Sequence, residues 1–144
     1  MFLLVIFPFQ NNFLINYFFS LFVGFIFGSI PFGYLIAKLK GIDIRQYGSK
    51  NIGFNNVRRV VGLKYAIPVL ILDIAKGLLP VVFAAQLEAI PIMVGLGAIL
   101  GHSFTPWLSF KGGKGVATTI GVILALIPWS LLVGIVVFII VALL

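Results

Sequence analysis

The chain has 144 residues, is 62% apolar with only 9% charged residues, and has a mean hydropathy of +1.24. A soluble domain carries about 25% charged residues, so this composition excludes an ordinary globular or disordered chain and indicates a membrane protein made mostly of spans. The chain has no cysteine, which excludes disulfides, and its single histidine and three scattered acids disfavour a metal site. The net charge of +7 favours anionic lipid or an anionic small substrate over nucleic acid.

The N-terminal part predicts one short apolar run and then a first span. Residues 1–12 are too few to cross a bilayer, and the lack of a basic start disfavours a signal peptide. Residues 13–37 are long enough, because about 20 apolar residues cross the hydrocarbon core. Pro31 removes a backbone donor, so we expect a kink, and Ser29 can satisfy a carbonyl that the kink frees. A site role for this Gly-Ser-Pro cluster is the alternative.

Two polar stretches, residues 38–64 and 101–115, hold nine of the ten basic residues. Residues 65–100 between them have the right length for two short spans joined by a turn at residues 86–91. Two crossings return the chain to its starting side, so both stretches face one compartment, and the positive-inside rule makes it the cytoplasm. We therefore expect a single integral membrane domain over residues 1–144, with the cytoplasmic loops 38–64 and 101–115.

The C-terminal part, residues 116–144, would form a helix of about 43 Å if it were unbroken. Pro128 predicts a break or an outer turn within it. The chain then stops at Leu144 inside an apolar run, whereas a finished span usually closes with interfacial or charged residues. We therefore expect the sequence to be the front part of a longer protein.

The second polar stretch contains Lys111-Gly112-Gly113-Lys114-Gly115. Glycines can turn successive backbone N–H groups into a concave nest for anions, and a helix that begins near Gly115 would add its unpaired N–H groups. Two lysines add positive charge. The segment therefore favours phosphate binding, although it is not a Walker loop, and a flexible turn with membrane-anchoring lysines is the alternative.

The first polar stretch offers guanidinium, hydroxyl and amide groups at short spacing. Arg45, Ser49 and Asn51 are typical of sites for phosphate and polyol hydroxyls. A solvated basic loop lying on anionic headgroups is the alternative.

Three ionisable residues accompany the loops. Asp73 and Lys76 share a face of the second span at i, i+3 and can form a structural or functional pair. His102 precedes the glycine-rich loop and could act as a general base or in a supporting hydrogen bond, although the sequence identifies no partner for it.

Five motifs occur in a fixed order: Gly28-Ser29-Ile30-Pro31, Gly48-Ser49-Lys50-Asn51-Ile52-Gly53 with Asn56-Val57-Arg58-Arg59, Leu72-Asp73-Ile74-Ala75-Lys76-Gly77, Gly101-His102-Ser103-Phe104-Thr105-Pro106, and Phe110-Lys111-Gly112-Gly113-Lys114-Gly115-Val116-Ala117-Thr118. In order, spacing and hydrophobic context they resemble the bacterial acyl-phosphate:glycerol-3-phosphate acyltransferases of the PlsY type. The resemblance implies an all-α, polytopic transmembrane bundle with about four spans and part of a fifth. The last two of the family's seven spans, and a third cytoplasmic motif with His, Asn and Glu, have no counterpart.

The resemblance also implies an activity and a site. Acyl phosphate would donate its acyl group to the 1-hydroxyl of glycerol 3-phosphate, giving lysophosphatidic acid, without a cofactor or metal, at the cytoplasmic face of a bacterial inner (plasma) membrane. Arg45 and Ser49 match catalytic positions. The residues that match substrate-binding positions are Asn51, Gly53, Asn56, Arg59, His102, Lys111, Gly112, Gly113, Lys114 and Gly115. Other functions left open are a small anion transporter or channel subunit and a non-catalytic membrane scaffold.

One departure from the family pattern carries a physical expectation. Lys50 stands where the family has a second glycine. If this position needs a positive φ, a lysine there costs on the order of 1 kcal/mol or more.

Overall fold

The computed structural model describes residues 13–143, so the predicted apolar run at residues 1–12 lies outside the described residues. Within that part the secondary structure is helical. The seven α-helices are α1 (Phe13–Gly28), α2 (Phe32–Lys38), α3 (Phe54–Val60), α4 (Leu63–Val82), α5 (Pro91–Ser103), α6 (Val116–Leu126) and α7 (Pro128–Leu143). This confirms the all-α class.

The predicted first span is broken where the sequence indicated a kink. α1 ends at Gly28 and α2 begins at Phe32, with Pro31 immediately before it. The Ser29 hydroxyl donates to Ile26 O at 2.8 Å, which confirms that this side chain satisfies a carbonyl at the break. The two helices together are long and apolar enough to cross a membrane, as is α4.

The predicted hairpin over residues 65–100 is confirmed. α4 and α5 are joined by a short 3-10 turn at Ala84–Leu87, followed by Glu88 in the left-handed region and by Pro91 at the first position of α5. Proline suits this position because the first helical N–H groups have no partner within the helix. The two ends of the hairpin therefore bring both polar stretches to one end of the bundle.

Glycines let α1 and α5 pack backbone against backbone. A Cβ atom at Gly24 or Gly28 would overlap α5 backbone atoms, and one at Gly97 or Gly101 would overlap α1 backbone atoms. Small residues of this kind allow close helix approach in a membrane, where lipid removes the hydrophobic driving force between helices. Gly121 of α6 packs in the same manner against α4. The bundle is therefore fixed by close backbone contact.

The remaining elements differ from the sequence expectation in one respect. α3 lies inside the stretch 38–64 that was predicted as a polar loop, because buried Val57 and Asn56 give this turn of helix an inner face. The break before Pro128 is confirmed, with α6 ending at Leu126. α6 has 11 residues, about 16 Å of helix, which is less than the hydrocarbon thickness, so the count of four spans and part of a fifth stays a prediction.

Candidate functional site

A cavity of about 200 Å³ lies where the two polar stretches meet. Its lining residues come from the first loop and α3, from the buried face of α4, from the end of α5 and from the first turn of α6. They are Ser49, Asn51, Gly53, Phe54, Asn55, Asn56, Leu70, Asp73, His102, Lys114, Gly115, Val116, Ala117 and Ile120. The two loops that sequence reasoning selected separately therefore share one site.

The glycine-rich loop is anchored to α5. The N–H of Gly112 donates to Ser103 O, and the N–H of Gly113 donates to His102 O, each at 3.0 Å. The prediction of a nest of successive free N–H groups is therefore wrong for Gly112 and Gly113, whose N–H groups already donate to backbone carbonyls. The same two hydrogen bonds argue against the flexible-turn alternative, because they hold the loop against the end of the helix.

The N-terminus of α6 supplies the anion-binding capacity at this cavity. Gly115 adopts φ +73° and precedes the helix, as the sequence predicted. The first N–H of α6 that pairs with a backbone carbonyl is that of Thr119, which donates to Gly115 O at 2.8 Å. Val116 and Ala117 line the cavity, and their N–H groups precede the first paired N–H of the helix, where the helix dipole favours an anion. Lys114 adds a formal charge beside them.

The first loop is organised by the buried amide of Asn56, which is 2% exposed. Its Nδ2 donates to Ile44 O, Tyr47 O and Asn51 O at 3.3, 3.1 and 2.8 Å, and its Oδ1 accepts from Ser49 N at 2.9 Å. Asn56 was predicted to bind substrate, and it does line the cavity. Its polar atoms are nevertheless committed to the loop, so its structural contribution is to hold Ser49 and Asn51 in place.

Two other first-loop side chains can face a ligand. Ser49 lines the cavity and is exposed, and its side chain carries a hydroxyl group. Asn51 Oδ1 accepts from Gly53 N at 2.9 Å, and its amino group is left to donate. Hydroxyl and amide groups of this kind can hydrogen-bond the hydroxyls of a polyol.

Several predicted site residues lie outside the cavity lining. Arg45 donates from Nε and Nη2 to the two carboxylate oxygens of Asp43 at 2.9 and 2.7 Å, and its guanidinium lies 4.8 Å from the centre of the Tyr34 ring. The Arg45 hydrogen bond lowers the pKa of Asp43 to about 2, and the same contact raises the pKa of Arg45. Arg59 and Lys111 are exposed, and neither lines the cavity.

Asp73 and His102 form the inner wall. Asp73 and Lys76 are both buried and form an ion pair, Oδ1 to Nζ, at 2.8 Å, which confirms the pairing predicted from their i, i+3 spacing. His102 Nδ1 lies 3.7 Å from the same Asp73 oxygen. This distance is longer than a hydrogen bond, so Asp73 is a neighbour of His102. The sequence does not indicate that the two residues are close, since they are 29 positions apart. A carboxylate is costly to bury inside a span, so Asp73 needs polar neighbours, and this requirement could have indicated that His102 lies near it.

The cavity brings the N-terminus of α6 and Lys114 together with the hydroxyl and amide groups of the first loop. Helix N-termini bind anions, and hydroxyl and amide groups bind polar ligands. The described residues thus define a helical membrane-type bundle with a polar cavity at one end.

Comparison with known proteins gives the family. The family model described as glycerol-3-phosphate acyltransferase matches residues 18–144. A glycerol-3-phosphate acyltransferase of Leptospira borgpetersenii serovar Hardjo-bovis (strain JB197) is 51% identical over 125 residues, which cover 83% of this chain and 57% of that protein. One of Myxococcus xanthus (strain DK1622) is 48% identical, with 81% and 64% covered. The chain belongs to the glycerol-3-phosphate acyltransferase family.

Two solved structures share the fold. The crystal structure of PlsY (YgiH), an integral membrane glycerol 3-phosphate acyltransferase, in its glycerol 3-phosphate form has a TM-score of 0.78 and 40% sequence identity, covering 88% of this chain and 66% of that one. The lysophosphatidic acid form has a TM-score of 0.73 and 40% identity, with 83% and 61% covered. The likeness supports a membrane-embedded protein. The chain spans about three fifths of the length of the curated relatives it matches.

Proposed function

We propose that this chain carries the glycerol 3-phosphate site of an enzyme that transfers an acyl group from acyl phosphate to the 1-hydroxyl of glycerol 3-phosphate. The product would be lysophosphatidic acid, the first acylated intermediate of phospholipid synthesis. The observation that carries this proposal is the shared cavity, in which Lys114 and the α6 N-terminus stand with Ser49 and Asn51. Family membership and the two ligand forms of the related crystal structures support it.

The proposed binding mode follows from the charges of the substrate. The phosphate of glycerol 3-phosphate accepts hydrogen bonds from the first N–H groups of α6 and pairs with Lys114. Ser49 and Asn51 bind the glycerol hydroxyls from the first loop, beside Gly53. The acyl chain of the donor lies among the spans, so the carbonyl carbon is held at the membrane surface near the 1-hydroxyl.

The proposed chemistry needs no covalent enzyme intermediate. The 1-hydroxyl oxygen attacks the carbonyl carbon of acyl phosphate, a new ester C–O bond forms, and the bond from that carbon to the phosphate oxygen breaks. The departing phosphate takes the hydroxyl proton on one of its own oxygens. Positive groups at the cavity stabilise the charge that develops on the leaving phosphate.

We propose Arg45 and Arg59 as the basic residues that reach the reacting phosphates. The two differ in whether an existing ion pair must first break. Arg45 must leave Asp43, whereas the exposed Arg59 carries no ion pair within residues 13–143. We expect Arg45→Ala and Arg59→Ala each to lose at least tenfold in turnover. Either variant that retains full turnover removes its arginine from the site, and Arg58→Ala is the matched control on α3.

The decisive test uses membranes that contain this chain, supplied with acyl phosphate and labelled glycerol 3-phosphate. Labelled lysophosphatidate that disappears in Ser49→Ala supports the proposal. Calorimetry of glycerol 3-phosphate on the purified chain then tests binding by itself. Anion flux without product would favour a transporter, and absence of product, flux and binding would leave a scaffold.

We also propose that residues 38–64 and 101–115 face the cytoplasm of a bacterial inner membrane. Because the chain has no cysteine, single cysteines report topology without background. A membrane-impermeant maleimide added to intact cells should label Glu88→Cys at the hairpin turn and leave Lys40→Cys and Lys111→Cys unlabelled until the membrane is opened. The reverse pattern would refute the orientation.

A further inference from the structure

A line of buried polar contacts runs from the break in the first span to the inner wall of the cavity. Lys76 Nζ donates to Ile30 O at 2.7 Å, a backbone carbonyl in the break between α1 and α2. The same Nζ lies 2.8 Å from Asp73 Oδ1 and 5.6 Å from the centre of the Phe32 ring. The cation thus joins the broken helix to α4.

The line continues through His102 to the glycine-rich loop. His102 is 4% exposed, and its Nδ1 lies 3.7 Å from Asp73 Oδ1. On the other side of the ring, a Cβ atom placed on Gly113 would overlap Nε2 and approach Cε1 to 2.9 Å. The backbone of His102 also accepts the Gly113 N–H at 3.0 Å. The imidazole therefore lies between the Asp73 carboxylate, which is beyond hydrogen-bond distance of Nδ1, and the Gly113 backbone.

We propose that Lys76, Asp73 and His102 are positioning residues that fix the glycine-rich loop, and with it Lys114 and the α6 N-terminus, for the phosphate of glycerol 3-phosphate. The proposal rests on the proposed function for the identity of the ligand. Its mechanical part, the support of Gly113 by the His102 ring, depends only on the fold.

The imidazole ring of His102 contacts two parts of the fold. Nδ1 faces the buried Asp73 carboxylate, and Nε2 lies beside Gly113 of the glycine-rich loop, so the ring packs between the ion pair and the loop at the wall of the cavity. Burial of the charged pair is costly in a span, and here it is compensated by three contacts to Lys76. Together these contacts tie α2, α4, α5 and the loop into one unit.

The activity test is a double-mutant cycle on His102 and Gly113. His102→Ala should raise the KM for glycerol 3-phosphate about tenfold and leave the KM for acyl phosphate within about twofold, because only the phosphate loop moves. Gly113→Ala should also raise the KM for glycerol 3-phosphate, since its Cβ displaces the ring. In the His102→Ala background the same Gly113→Ala change has space and should add less than about twofold. Effects that multiply would overturn the proposal.

A second readout is independent of catalysis. Amide hydrogen exchange at Gly112 and Gly113 should become at least about tenfold faster in His102→Ala, because the loop loses its support. Ser20→Ala is the matched control: the Ser20 hydroxyl accepts from Ile90 N at 2.8 Å at the opposite end of the bundle, so its loss should leave loop exchange unchanged.

The kinetic and exchange measurements distinguish failure of the proposed function from failure of the positioning role. If the wild-type chain makes no lysophosphatidate and binds no glycerol 3-phosphate, the proposed function fails, while exchange still tests the support of the loop. If His102→Ala leaves both loop exchange and the KM for glycerol 3-phosphate unchanged, the positioning role is refuted. Should His102→Ala fail to fold, Gly113→Ala gives the same two measurements, and an unchanged KM and exchange in that variant would equally refute it.

Discussion

Lys50→Gly should stabilise the protein, because Lys50 adopts φ +60° in the loop beside the cavity. From the sequence, a lysine at this position was expected to carry a cost on the condition that φ is positive, and the structure meets that condition. A left-handed conformation costs a residue with a Cβ about 1–2 kcal/mol. Glycine removes that cost but adds about 0.4–1 kcal/mol of unfolded-state entropy. The net gain is about 0.5–1 kcal/mol, or roughly 1–4 °C in Tm for a protein of this size.

Thermal unfolding in detergent, followed by tryptophan fluorescence, measures this change. Lys50→Ala is the first control, because it removes the charge and keeps the strained backbone, so it should not gain stability. Gly41→Ala is the reverse control: Gly41 has φ +73° and open space around its Cα, so the new methyl group adds only the backbone cost and should lower the Tm. A gain in Lys50→Ala equal to that in Lys50→Gly would refute the backbone argument and assign the effect to charge.

Three further predictions concern the loops. Asn56→Ala should cost about 2–3 kcal/mol of unfolding free energy in chemical denaturation, because it removes the buried amide that links the carbonyls of Ile44, Tyr47 and Asn51 to the N–H of Ser49. Lys114→Gln should raise the KM for glycerol 3-phosphate about tenfold in acylation kinetics, whereas the matched Lys111→Gln, outside the cavity, should change it by less than twofold. The folded pKa of Asp43 is lowered from 3.8 to about 2, so the Arg45 pair stabilises above about pH 4 and is lost as the pH falls through about 2; acid unfolding curves should lose this component in Asp43→Asn.

The elements that were predicted from the sequence depend on local chemistry. The break after α1 follows from Pro31, the hairpin from the length of the apolar segment and from Pro91 at the start of α5, and the start of α6 from Gly115. The proline and glycine signals act within a few residues of their own position, and the hairpin needs only the length of one continuous segment. Segment length and turn chemistry therefore sufficed for them.

The features that were missed depend on contacts between distant segments. Asn56 reads as one of several polar residues in a basic loop, and only the fold brings its amide to the carbonyls of Ile44, Tyr47 and Asn51. The position of His102 beside Asp73 likewise follows from the packing of α4 on α5. The N–H groups of Gly112 and Gly113 looked free because the sequence does not indicate that the loop folds back onto the α5 carbonyls.

The distribution of charge separates membrane topology from ligand recognition. Nine basic residues lie in the two polar stretches, yet Lys114 is the one basic residue among those that line the described cavity. We propose that exposed cations such as Lys38, Lys64 and Lys111 act on anionic headgroups and on orientation, an effect that salt screens. In the proposed binding mode, recognition at the cavity comes from Lys114 together with oriented N–H groups, one amide and one hydroxyl, whose geometry the loops fix. Raising ionic strength should therefore weaken membrane-surface attraction more than it weakens binding of the phosphate at the α6 N-terminus.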